Sequence, residues 1–66
     1  MLAQAFSRNL LRQRTKQKLS QGRLAARCAY SVSYISMLER GLRSPPLATI
    51  ETVATALNVK AVSLLK

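Results

Sequence analysis

Histidine and tryptophan are absent from this chain, its acids number two (Glu39 and Glu51), and its one cysteine is Cys28. Without an imidazole there is no ready general base. Two carboxylates and a lone thiol supply neither a paired acid and base nor a nucleophile with an activating neighbour. These counts argue against an enzyme. They also argue against a metal site, because structural zinc needs four Cys or His ligands. No cofactor is expected. A lone cysteine forms no internal disulfide, which fits a reducing cytosol better than secretion.

Long hydrophobic runs are missing too. The stretch Ser44 to Asn58 is interrupted by Glu51 and opened by Pro45 and Pro46. It falls short of the roughly 20 apolar residues that span a bilayer, so no membrane partner is expected. Met1 to Leu11 shows no charged segment followed by an apolar run, so no targeting element is read there.

What the chain has in quantity is positive charge. Eleven Lys or Arg against two acids give +9 on 66 residues, more than solubility favours, and a polyanion is the natural partner. The length allows one small domain over residues 1–66, and such a chain buries only about 60% of its unfolded surface. An apolar content of 48% is too high for a disordered basic tail, so the chain should fold.

No stretch alternates apolar and polar residues as a half-buried strand would; what recurs is helical spacing. Leu2, Phe6 and Leu10 make a stripe on a first helix running from Leu2 to Lys18. Ser20 is a good N-cap for a second, Gln21 to Cys28, with Leu24, Ala25 and Cys28 inward as core. Ser31 caps a third, Val32 to Arg40, with Ile35 and Leu38 inward and Gly41 as its left-handed stop. Pro45 and Pro46 mark an ordered loop, with Pro46 placed in the first turn of the next helix. Leu47, Ile50, Val53, Ala54 and Leu57 give a fourth helix, Leu47 to Leu57, stopped by Asn58. A last helix, Lys60 to Leu65, follows. The expectation is an all-α, five-helix domain.

The second and third of these helices, joined by a tight turn in a basic chain, have the layout of a DNA-binding helix-turn-helix spanning about residues 21–40. The outward face of the third, Val32, Ser33, Ser36 and Met37, is small and neutral, suited to a major groove.

From Phe6 to Leu65 the sequence resembles the phage repressor and Cro helix-turn-helix family, also called Xre-like. The matching segments are Leu19-Ser20-Gln21 with Leu24-Ala25, then Ser33-Tyr34-Ile35-Ser36, then Leu38-Glu39-Arg40-Gly41. Pro45 before Leu47, and Ala56-Leu57 with Val59, complete the order. The resemblance implies duplex DNA as partner and a small transcriptional regulator, a homodimer on a roughly palindromic operator, cytoplasmic and bacterial or phage in kind, acting by blocking or touching RNA polymerase.

Roles follow by position. Gln21 matches a residue that anchors to a phosphate and braces the recognition helix. Val32, Ser33, Ser36 and Met37 fall on base-facing positions, and Tyr34 on one that reaches the backbone. Arg40 and Arg43 fall where the next loop nears phosphates. Arg23 and Ser31 complete the DNA-facing set, and Arg14 and Glu39 match a partly buried salt bridge between the first and third helices.

The chain departs from the family where Lys18 and Ala29 replace expected glycines, and where the recognition helix has no Gln, Asn or Arg on its base-facing positions. Val32 and Met37 offer apolar contact only, for instance to thymine methyls. Three choices stay open at this point. Met37 either faces DNA or packs under the fourth helix, and Tyr30 and Tyr34 are either contacts or rim packing. The apolar face of Val59, Val62, Leu64 and Leu65 either closes the core or forms a two-fold dimer interface, and a mixture is expected, with Val59 and Leu64 inward and some of Ala61, Val62 and Leu65 shared. The rival functions are a protein-interaction module on the same scaffold, which the apolar Val32 and Met37 would suit, and, more weakly, a cationic membrane-surface binder.

Overall fold

The computed structural model describes residues 2–66, with side chains from Gln4 onward. The chain forms α1 (Leu2–Lys16), α2 (Gln21–Cys28), α3 (Val32–Glu39), α4 (Leu47–Leu57) and a 3-10 turn, Ala61–Leu64.

All four helices stop in the same way, with a left-handed residue followed by an apolar one. The left-handed positions are Lys18, Ala29, Gly41 and Asn58, at φ of 59°, 58°, 73° and 57°. At each, the next residue's N–H reaches back five positions: Leu19 to Arg14 O, Tyr30 to Ala25 O, Leu42 to Met37 O and Val59 to Ala54 O, at 2.9–3.0 Å. The left-handed residue's own N–H adds a second hydrogen bond to the carbonyl three positions back, at 3.0–3.2 Å, and the two together satisfy carbonyls that the helix end would otherwise leave unpaired. Leu19 is buried, and Tyr30 and Val59 pack against the core, so three of the four following residues staple their stops down. Leu42 does not: it is 63% exposed.

The fifth helix expected from sequence is the 3-10 turn, so the described residues form four α-helices and one tighter turn. Ser63 N–H donates to Lys60 O at 2.9 Å and Leu65 N–H to Val62 O at 3.1 Å, both i to i+3. A segment this short gains little from α-helical propagation. In the 3-10 form residues three apart eclipse, which turns Ala61 and Leu64 together toward the core and leaves Val62 half exposed.

The first helix ends at Lys16 and not at Lys18, because its stop begins with the left-handed Lys18. Pro46 is the residue capping α4, one position ahead of the first turn assigned to it, and Leu47, expected inward, is 68% exposed. Leu47 lies at the edge of the α4 stripe, whose centre is Ile50, Val53 and Leu57. The stripe begins instead with the buried Thr49.

Phe6, Leu10, Leu24, Ile35, Leu38, Val53, Leu57 and Leu64 are fully buried and form the centre of the cluster that the elements share. Cys28 belongs to it. Leu2, placed on the α1 stripe by its spacing, has a side chain outside the described residues.

Candidate nucleic-acid interface

Two helix starts create the candidate surface. Ser20 lies in extended backbone and its hydroxyl accepts the Arg23 N–H at 3.0 Å. Ser31 does the same for the Tyr34 N–H, also at 3.0 Å. Each cap satisfies one first-turn donor and leaves the earliest N–H groups free to face an anion. The two starts approach each other at Gly22, where an added Cβ would lie 4.0 Å from Val32 Cγ2.

The α-helical turn of 100° per residue places Val32, Ser36 and Arg40 in a line along α3, with Ser33 beside them. Val32 is 48% exposed. Ser31, Ser33 and Arg40 are exposed, and Ser36 is half-buried. Met37, also half-buried, sits at the margin of this face. Arg23 on α2 and Arg43 on the loop after α3 are exposed as well.

Behind the face, Glu39 ties three elements together. Arg14 donates from both Nε and Nη2 to the two carboxylate oxygens, the latter at 3.1 Å, while its Nη1 donates to Leu19 O at 2.7 Å. The Gln21 Nε2 group donates to Glu39 Oε1 at 2.8 Å. The Arg14 and Glu39 side chains are only 13% and 5% exposed. The first residue of α2 is thereby braced against the last residue of α3 through a fixed charge.

That pairing also shapes the field. It removes one acid and one cation from the surface, leaving Glu51 as the exposed acid, while every Lys and Arg other than Arg14 is exposed. The α3 face is neutral over its first two turns, within a strongly basic surface.

Tyr34 lies half-buried at the rim. Its ring meets that of Tyr30 edge to face at 5.0 Å. The Tyr34 and Tyr30 hydroxyls converge on Thr49 Oγ1 at 3.2 and 3.4 Å.

The sequence profile described as Helix-turn-helix, HTH_3, matches residues 10–64. This chain belongs to that family. The HTH_3 chain is 41% identical over 56 residues to the uncharacterised HTH-type transcriptional regulator y4dJ of Sinorhizobium fredii, covering 85% of this chain and 73% of that protein. Among solved structures, it is similar to the hypothetical transcription factor NHTF from Neisseria, with a TM-score of 0.95 and 33% identity over 100% of this chain and 76% of the other. It is also similar to the restriction-modification controller protein C.AhdI from Aeromonas hydrophila, with a TM-score of 0.89 and 35% identity over 94% of each chain.

Three polar residues that tie the elements of this HTH_3 domain together are not among those singled out by the sequence reading. Asn9, buried in α1, donates from Nδ2 to Leu64 O at 3.1 Å and accepts from Arg12. Gln17 donates to Leu57 O at 2.7 Å, closing the end of α4. Thr49 receives the two tyrosines. Asn9 stands three residues after Phe6, and Thr49 four before Val53, both inward spacings, and that was the available signal.

Ala61 and Leu65 are half-buried against the core, and Val62 is 50% exposed. No helix among the described residues is long and apolar enough to cross a membrane.

Proposed function

We propose that this chain is a small transcriptional regulator that binds duplex DNA in a sequence-dependent way, as a homodimer on a roughly palindromic operator. The observation that carries this reading is the pair of capped helix starts meeting at Gly22 and Val32, on a surface with a neutral α3 face and exposed Arg23, Arg40 and Arg43. The description of y4dJ as an HTH-type transcriptional regulator supports it.

In this reading α2 lies across the phosphate backbone and α3 enters the major groove. Gln21 meets a phosphate at the start of α2, with Ser31 and the first N–H groups of α3 nearby. Val32, Ser33, Ser36 and Met37 face base edges, Tyr34 flanks them, and Arg23, Arg40 and Arg43 meet phosphates. The half-exposed Val62, with Ala61 and Leu65, supplies the two-fold contact, setting the recognition helices about 34 Å apart. The domain spans residues 1–66 and works in the cytoplasm by occupancy, without catalysis, blocking RNA polymerase or touching it.

Affinity for duplex DNA measured against salt tests this. Log K should fall with log salt by about 0.9 for each phosphate contacted, and replacing Arg23, Arg40 or Arg43 with Gln should each reduce the slope by about that amount. A slope near zero, with tight binding to an acidic protein surface, would establish the interaction-module reading that the exposed Val32 and Leu42 also suit.

A further inference from the structure

The geometry points to thymine methyl groups as the feature that α3 reads, an inference that rests on the DNA-binding reading. The polar groups of the α3 start are mostly committed inside the protein. The Ser31 hydroxyl accepts the Tyr34 N–H, and the Tyr34 hydroxyl lies 3.2 Å from Thr49 Oγ1. The carboxylate of Glu39 is held by Arg14 and Gln21. What remains outward in the first two turns is Val32 and Ser33, with the half-buried Ser36 beside them and Met37 at the margin.

A serine hydroxyl donates or accepts and pairs with any base edge, so Ser33 and Ser36 discriminate little. Val32 discriminates by exclusion. Set against the amino group of cytosine or the N7 and O6 of guanine, its methyls would leave those groups without a partner in a dry contact. Set against the C5 methyl of thymine, they bury apolar surface at no such cost, and thymine is the one standard base with a methyl group in the major groove. The side chain has few rotamers because it is β-branched, and its Cγ2 lies 4.0 Å from where a Cβ on Gly22 would stand, so the glycine leaves room beside it. The same contact accepts the methyl of 5-methylcytosine, which occupies the equivalent place.

The test starts from a duplex selected by this protein from a random pool. Thymine is replaced by uracil one position at a time, which removes the methyl and keeps the pairing. Wild type should lose about fourfold in affinity at one or two positions in each half-site. Val32→Ala, a change at a half-exposed site that should melt close to wild type, should show little or no loss there. At a sensitive position cytosine should bind more weakly than 5-methylcytosine. Equal affinity for thymine and uracil throughout, or the same sensitivity in Val32→Ala, overturns the inference and leaves DNA binding standing. Failure to bind any duplex overturns both.

Discussion

Arg14 holds Glu39 from two nitrogens while its third nitrogen holds the Leu19 carbonyl, so one side chain of α1 fixes both the entry to α2 and the end of α3. Removing Glu39 would leave a guanidinium that is 13% exposed facing no anion, and would also strip Gln21 of its partner. Glu39→Ala should therefore cost about 3 kcal/mol, as the loss of one member of a largely buried pair does. Glu51→Ala, at an exposed site of α4, should stay within about 0.5 kcal/mol. Thermal melts of the two variants side by side decide the matter, and equal midpoints would remove the pair from any account of stability.

The sequence made the helix-turn-helix legible for a physical reason. Ser20, Ser31, Gly41 and Asn58 are residue types whose backbone and hydrogen-bonding preferences name a helix end, and Leu24, Ile35, Val53 and Leu57 repeat at helical spacing. All of these stand where that reading puts them. The last segment departs from the expected α-helix because Ala61, Val62, Leu64 and Leu65 fit an α-helical stripe as well as a 3-10 one. What decides between them is long-range: Leu64 must enter the core while its carbonyl meets Asn9, 55 residues earlier in the chain. Leu47 stands exposed where an inward place is expected, because a stripe counted from the first helical residue ignores where the partner surface begins.

At the candidate interface, the exposure of Val32 and Ser33 and the capping by Ser20 and Ser31 are readable, since they follow from helical periodicity and cap chemistry. The links behind them are less so. The convergence of Tyr30 and Tyr34 on Thr49 joins α4 to the turn before α3 and to α3 itself, and no local rule pairs residues 15 and 19 positions apart.

Two of the left-handed stops carry side chains that disfavour that conformation without local compensation. An L-residue with a Cβ pays roughly 1–2 kcal/mol there, partly offset by the greater unfolded-state freedom of glycine. Ala29→Gly and Lys18→Gly should each stabilise the fold by about 0.5–1 kcal/mol. Gly41→Ala should do the reverse by about 1 kcal/mol. Its new Cβ would meet Ser7 Oγ at an unstrained 3.5 Å, so the loss comes from φ alone. Denaturant midpoints with unchanged slopes would show all three; a stabilised Gly41→Ala would contradict the strain argument.

Thr49→Val keeps the shape of the side chain and removes the one oxygen on which both phenols converge. Tyr30 and Tyr34 are half-buried, so water replaces part of what is lost, and a destabilisation of about 1 kcal/mol is expected. Thr49→Ser should recover most of it. Because Tyr34 lies on α3, Thr49→Val should also weaken duplex binding at temperatures far below its melt, which a purely global loss of stability would not do. Unchanged affinity there would confine the tyrosine pair to a packing role.

Burial pushes the Cys28 thiol up from its ordinary range, since the thiolate would have to form inside the core. The folded chain therefore keeps this proton to higher pH than the unfolded chain. Stability from the neutral thiol is fully present below the unfolded thiol's titration near pH 8.5 and falls as pH rises beyond it. Between about pH 8 and 9.5 the urea midpoint should decline in the wild type and decline less in Cys28→Ala, whose absolute stability is lower for the missing core volume. Alkylation of Cys28 in the same window should be slow in native conditions and rapid in urea. Fast native alkylation would mean that the α2 end opens readily, and the left-handed Ala29 stop beside it would then be the first place to strengthen.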